Sequence, residues 1–552
     1  MARLKPWAVC CFVLAGLTGA VALVCLCIFP VADRKCPAGA FTHAAVSADS
    51  LRCSEVGRSM LQQGGSAVDG AIAALLCTSV VNPQSMGIGG GSILTIRNAK
   101  GASSCSPQTH PQSSFQCSCT VSHLYITGSQ WIGVPGELRG YEAVHKQYGK
   151  LPWAKLFEPT IKLAREGISL PAFLGKLLQI GLVKDHVEKS SLCEVLCNKN
   201  KTVLSTGDIL KFPKLAETMQ TIAAEGAEAF YTGKIGHDLI QDIEAAGGTL
   251  KKEDLQSFQV RVEDAWTVPV GDAKIYVPPP PAGGPLLAFI LRLMKGFPLS
   301  PNSLVGDEKI LTYHRYIEAA KFTNGQRSSI SDPVFNEKKD HLNNASFINR
   351  IRGMILSNSS FENSYYFNAK PSRDHVGTTH VSILDEDGLA VSVTSTINQL
   401  FGGGIYSPRT GVILNNELSD FCGRATTVRA GEQPPSSMIP VIVESKSGGL
   451  LVIGGSGGSM ITSAVAMSMM NRLWLGMNLK DAIAAPIVFV DSSNGVNFEP
   501  GFDKSVEDGL LGFGHKSGNW RFFFNVVNAV EMENGCIVAV SDRRKGGMSA
   551  GY

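Results

Sequence analysis

A threonine hydroxyl is a weak nucleophile unless a base stands beside it, and a threonine at the start of a chain carries that base as its own α-amino group. The ordinary pKa of such an amine, about 8, lies close to working pH, as general-base catalysis prefers. Gly377-Thr378 offers a way to make one internally. The small glycine would let Thr378 Oγ1 reach the preceding carbonyl, shift the acyl group from nitrogen to oxygen and yield it to water. Residues 379–384 and 389–397 alternate apolar and small polar side chains around Asp385-Glu386-Asp387-Gly388, the pattern of a β-hairpin and its turn. Antiparallel pairing sets Thr378 opposite a residue between Ser395 and Ile397, which lands Thr396 beside it. The chemistry in view is acyl transfer through a threonine that the chain exposes by cutting itself.

The rest of the chain must supply the scaffold. Residues 44–80 read as helical, broken at Gly64-Gly65, with an apolar second half from Ala67 to Cys77. The loop Asn82-Pro83-Gln84-Ser85-Met86-Gly87-Ile88-Gly89-Gly90-Gly91 precedes a strand-like stretch, 92–96. A dinucleotide fingerprint needs strand, glycines and helix in that order, so no nucleotide site is expected. Helical patterns fill 133–166, mixed helices continue to about residue 260, and Val277-Pro278-Pro279-Pro280-Pro281-Ala282-Gly283-Gly284 marks a rigid extended turn. Residues 102–127, rich in Ser, Cys, Gln and His, show neither period and look foreign to their surroundings. Within them Cys105, His110, Cys117 and Cys119 match no common zinc spacing, so no metal is expected. The polar stretch 357–374 is expected to be mobile and exposed.

At 552 residues, with 44% hydrophobic and 18% charged side chains, the chain can bury a large core and is not disordered. The formal charge of +3 comes from nearly balanced acids and bases, without the basic stripe that phosphate backbones require, so nucleic acid is not an expected partner. Residues 7–29 run 23 positions without a charge. As a helix that is about 34 Å, enough to cross a bilayer. Arg3 and Lys5 precede the span, which puts a cytoplasmic tail at 1–6 and everything beyond 29 outside, a single-pass type II arrangement at the plasma membrane. Fourteen cysteines fit that oxidising compartment. Cys53 and Cys77 bracket two helix-like stretches, Cys193 and Cys197 lie close enough to close a small loop, and both pairs are disulfide candidates. Sequons at Asn200, Asn344 and Asn358 are candidates for glycans.

Further motifs place the threonine in a wider pattern. Gly377-Thr378-Thr379-His380-Val381-Ser382, Thr394-Ser395-Thr396-Ile397-Asn398, Leu414-Asn415-Asn416-Glu417, Pro435-Ser436-Ser437-Met438, Gly454-Gly455-Ser456-Gly457-Gly458 and Ser541-Asp542-Arg543-Arg544-Lys545-Gly546-Gly547 occur in that order. Together with the Asn82 to Gly91 loop and Gly133-Val134-Pro135-Gly136 they resemble the γ-glutamyltransferase family across nearly the whole chain outside 102–127. Tyr406-Ser407-Pro408-Arg409-Thr410-Gly411 looks closest to the branch that hydrolyses leukotriene C4.

The resemblance implies an α+β fold of the N-terminal-nucleophile hydrolase type, an αββα sandwich of four layers. It implies a large subunit, 30–377, and a small one, 378–552, that stay associated as a heterodimer after cleavage. Thr378 would carry the γ-glutamyl group and Thr396 would orient its hydroxyl. Asn398, Glu417 and Asp420 would hold the donor's α-ammonium, a cation that two carboxylates and an amide carbonyl suit. Ser436 and Ser437 would donate to its α-carboxylate, and the N–H groups of Gly457 and Gly458 would form the oxyanion hole. His380 is expected to be structural. The implied substrates are glutathione, its conjugates, and acceptor amino acids and dipeptides, with no cofactor.

One departure stands out. The family carries Asn-Ala-Arg-Glu before the Trp-Ile-Gly-Val-Pro-Gly region, its arginine pairing with the donor carboxylate, and this chain has no Arg-Glu there; Arg97 is near but does not match. Loss of a charge-assisted pair costs about 1.5 to 3 kcal/mol. The alternatives are therefore a non-catalytic cell-surface protein impaired by that loss, or an N-terminal-nucleophile amidase of other acyl specificity, such as a cephalosporin acylase.

Overall fold

The computed structural model describes residues 36–111, 115–116, 128–337, 340–369, 376–423, 427–520 and 525–552. The strands that frame the site are β1 (Ala45–Ser47), β2 (Gly91–Asn98), β3 (Gly101–Ser106), β4 (Arg261–Asp264), β5 (Trp266–Val270), β6 (Ala273–Val277), β7 (Thr379–Leu384), β8 (Ala390–Thr396), β9 (Val441–Ser445), β10 (Leu450–Ser456), β11 (Val526–Glu533), β12 (Cys536–Ser541) and β13 (Ala550–Gly551). They form a seven-stranded sheet, β13-β1-β7-β8-β2-β3-β4, and a six-stranded sheet, β12-β11-β10-β9-β6-β5. The chief helices are α1 (Leu51–Gln62), α2 (Ala67–Val81), α3 (Glu137–Tyr148), α4 (Trp153–Glu166), α5 (Gly284–Lys295), α6 (Gly306–Asn324) and α7 (Ile461–Leu473).

Alternating strand side chains give each sheet two faces, and both are covered. Val381, Ile383, Val391 and Val393 pack with Ile72, Leu75, Leu138 and Leu156 of α2, α3 and α4. Leu384, Ala390, Ile442, Val452 and Val530 meet between the sheets. The neighbours Val441, Val443, Leu451 and Ile453 turn the other way, onto Leu286, Phe289, Ile317 and Val465 of α5, α6 and α7. The order is helix, sheet, sheet, helix, the αββα arrangement expected. Every residue of α2 is buried, as its all-round apolar sequence requires, and a Ser66–Asp69 capping box fixes where it starts.

Three expectations need correction. Residues 45–47 are not helical: they form β1, which lies between β7 and β13, and the helices begin at Leu51. Part of 102–127 is not foreign, because β3 pairs with β2 on one side and β4 on the other. Its Ser and Cys side chains hide the strand period, but backbone pairing does not depend on them. Nor is 357–374 exposed throughout, since Tyr366 is fully buried and donates its hydroxyl to Glu318 Oε2 at 2.7 Å; residues 370–375 lie outside the described residues.

The pairs Cys53–Cys77 and Cys193–Cys197 are disulfides, and a third, Cys36–Cys536, joins residues 500 positions apart. Asn200, Asn344 and Asn358 are all exposed, although Asn344 caps the helix Ala345–Met354 with its side chain. Among the described residues no helix is long and apolar enough to cross a membrane. The expected span at 7–29 and the tail at 1–6 lie outside the described residues.

Candidate active site

The register Thr379↔Ser395 puts Thr378, just ahead of β7, opposite the end of β8. Thr378 Oγ1 donates to Thr396 Oγ1 at 3.0 Å, and Thr396 Oγ1 accepts the Asn398 N–H at 2.8 Å. Thr378 has φ +78°, a left-handed conformation that β-branched residues avoid and that costs about 1–3 kcal/mol. Its surroundings hold it there. The Thr378 N–H donates to Ser85 O at 3.2 Å, and Lys545 Nζ donates to Thr378 O at 2.6 Å. The carbonyl before it is gripped too, because the Gly457 N–H donates to Gly377 O at 2.9 Å. A Cβ on residue 377 would come 2.1 Å from Asn398 O, so only glycine fits. Gly457 and Gly458, at φ +114° and +61°, make the turn that aims that N–H, just ahead of α7.

Asn398 Nδ2 donates to Asn416 O at 3.0 Å, Ser419 Oγ at 2.9 Å and Asp420 Oδ1 at 3.1 Å. With its nitrogen committed to those acceptors, its carbonyl oxygen is the atom left for a cation. Glu417 and Asp420 sit three apart on one 3₁₀ turn, Glu417–Phe421. The buried Glu417 carboxyl accepts from Gly91 N–H at 3.1 Å and from the Thr109 hydroxyl at 2.7 Å. Burial, with Asp420 and Glu137 nearby, still pushes it up to about 8. Burial also raises Glu137 to about 7, against the hydroxyls of Tyr141, Ser395 and Ser92. A bound ammonium would favour the carboxylate form of Glu417.

Ser436 and Ser437 form a second cluster against the proline-rich turn 277–284. Ser436 N–H donates to Pro281 O at 2.8 Å, and Arg327 Nη1 approaches Ser437 Oγ at 3.5 Å. A cavity of about 530 Å³ is lined by Trp266, Pro279, Pro280 and Ser329 among others, but not by either serine. Arg97 is engaged elsewhere, pairing with Glu444 at 2.8 Å across the two sheets. The stretch after β3, where the family's arginine would stand, runs against Gly91 through Pro107 and Gln108 before Thr109 reaches Glu417.

His380 bridges Thr394 Oγ1 at 2.8 Å and Ser382 Oγ at 2.9 Å, and complete burial lowers it to about 3, which suits a structural role. Cys105 is a free, buried thiol raised to about 12, and His110 stacks on Phe258 and is lowered to about 4, both chiefly by burial. Cys117 and Cys119 lie outside the described residues. Among the described residues His314, Glu318 and His515 alone offer metal-ligand atoms within 4.8 Å of one another, but Lys321 Nζ already donates to His515 Nδ1 at 2.9 Å. Sequence reasoning missed Ser85 and Lys545 as partners of Thr378. Both lie in motifs it had singled out, yet only the fold brings them to one point.

The family model for gamma-glutamyltranspeptidase matches residues 53–552. "Glutathione hydrolase 5 proenzyme" of Rattus norvegicus and that of Homo sapiens are each 44% identical to the chain, covering 98% of it and 98% of their own lengths. In fold the chain is similar to cephalosporin acylase from Bacillus halodurans, with TM-score 0.82 at 21% identity over 95% of this chain and 98% of that one. Helicobacter pylori gamma-glutamyltranspeptidase aligns over 60% of this chain and 95% of its own, with TM-score 0.54 at 26% identity. A match across both sheets, the Thr378 hairpin and the Glu417 turn leaves one assignment: the chain belongs to the gamma-glutamyltranspeptidase family.

Proposed function

We propose that the chain cleaves the γ-glutamyl amide of glutathione and its S-conjugates, leukotriene C4 among them, and passes the glutamyl group to water or to amino acids and dipeptides. The observation that carries this is the pair of contacts on the 377–378 bond: Thr378 Oγ1 against Thr396, and the Gly457 N–H on the Gly377 carbonyl. Attack of Oγ1 on that carbonyl places the developing oxyanion on the N–H already aimed at it. The C–N bond then breaks, the nitrogen takes up the hydroxyl's proton, and water hydrolyses the ester to leave a Gly377 carboxylate and a free Thr378 amine. Cleavage also relieves the left-handed strain, because φ no longer exists at a chain start.

In turnover the amine takes the Oγ1 proton as Oγ1 bonds to the donor's γ-carbonyl, and returns it to the departing amino group. Asn398, Glu417 and Asp420 fit the donor's α-ammonium. On the carboxylate side we assign Arg327 to the place of the missing family arginine, because its guanidinium lies beside Ser437. The name "proenzyme" borne by the relatives supports a cleaved, two-chain active form. Exposed sequons and disulfides support the lumenal topology, with residues 7–29 as the anchor. The test is release of the free aniline from a γ-glutamyl anilide by the purified ectodomain. Activity in the wild type and none in Thr378→Ala is expected; equal release by both overturns the reading. Arg327→Gln should raise the donor KM at least tenfold, and an unchanged KM removes Arg327 from the site.

A further inference from the structure

We infer that Lys545 tunes the basicity of the amine that Thr378 exposes on processing, as a positioning residue that never touches substrate; this rests on the functional reading above. Lys545 is buried on the turn Arg543–Lys545 that follows β12. Its Nζ meets Thr378 O at 2.6 Å, Ser456 Oγ at 2.8 Å and Asp49 Oδ2 at 3.2 Å. An ammonium has three donors and no acceptor, and three acceptors surround this nitrogen. One of them is the carbonyl of the residue whose own nitrogen becomes the catalytic base.

A fixed positive charge on that carbonyl disfavours a second positive charge on the nearby α-amine. The amine is then neutral, and able to take the Oγ1 proton, at a lower pH than an ordinary α-amine. Asp49 opposes the effect and holds the lysine: its Oδ2 also accepts from Thr379 Oγ1 at 2.8 Å, and its Oδ1 accepts from Asn528 Nδ2 at 2.8 Å. The other titratable groups around this point are accounted for. His380 on β7 is held neutral by burial, Asp542 and Arg544 pair with each other at 2.8 Å, and Glu137, Glu417 and Asp420 gather by β2 and its loop.

The experiment is kcat for a γ-glutamyl anilide against pH, in wild type, Lys545→Met, Lys545→Arg and Asp49→Asn, with self-cleavage checked by electrophoresis. In Lys545→Met the acid limb should move up by at least one pH unit, with at least a tenfold loss at pH 7 that is recovered in part at high pH. Lys545→Arg should keep the wild-type limb, and Asp49→Asn should move it down. An unmoved limb in Lys545→Met overturns the inference, whatever the loss of rate. Should Lys545→Met remain uncleaved, Asp49→Asn decides: a lowered limb supports the inference and an unmoved or raised one overturns it. If neither is cleaved the inference fails, because the charge then serves processing alone. A wild type that releases no aniline overturns the functional reading as well, whereas an active wild type with unmoved limbs overturns this inference only.

Discussion

Burial pushes Glu417 up to about 8, whereas an arriving α-ammonium needs the carboxylate. The protonated fraction grows as pH falls below that value, so donor KM should rise toward acid and level off above it. Glu417→Gln should bind donor weakly at every pH and lose this dependence, which a KM series from pH 6 to 9 would reveal. Thr396→Val keeps the shape of the side chain but removes the oxygen that receives the nucleophile's hydrogen bond. One such bond is worth about 0.5–1.5 kcal/mol, so both self-cleavage and kcat should fall by about threefold to tenfold. The Thr378–Thr396 pair was legible in the sequence because a hairpin register follows from side-chain alternation. The raised Glu417 was not, since its chief cause is burial in the folded chain, which hydrogen bonds from Gly91 and Thr109, hundreds of positions upstream, only partly offset.

At the level of the elements, β7 and β8 present the nucleophile while the loop after β8 closes over Gly377. Gly377→Ala would drive a Cβ into Asn398 O and should leave one full-length, uncleaved band on denaturing electrophoresis. Leu384 fills the layer between the sheets, and Leu384→Ala should cost about 2–5 kcal/mol, seen as a lowered unfolding temperature. The hairpin, β2 and the paired helices α3 and α4 could all be read from periodicity. β3 could not, because Ser103, Ser104 and Cys105 carry no apolar alternation and the strand exists through the partners on its two edges.

Across the whole molecule the two halves are interleaved, since β7 and β8 from beyond the cut lie between β1 and β2 from before it, in one sheet. Processing therefore breaks the chain without dividing a domain. The Cys36–Cys536 disulfide adds a covalent tie between those halves. Non-reducing electrophoresis of the cleaved protein should show one band at full mass that splits in two on reduction. This long-range staple was invisible to spacing, which suggests partners only when cysteines are neighbours along the chain. Cys36 stands 36 − 29 = 7 residues beyond the proposed anchor, so on that proposed topology the half that bears Thr378 hangs on a short leash of its own. Proteases that nick the large half anywhere past Cys36 would leave the nucleophile moored, and shedding it would take a cut inside those few residues.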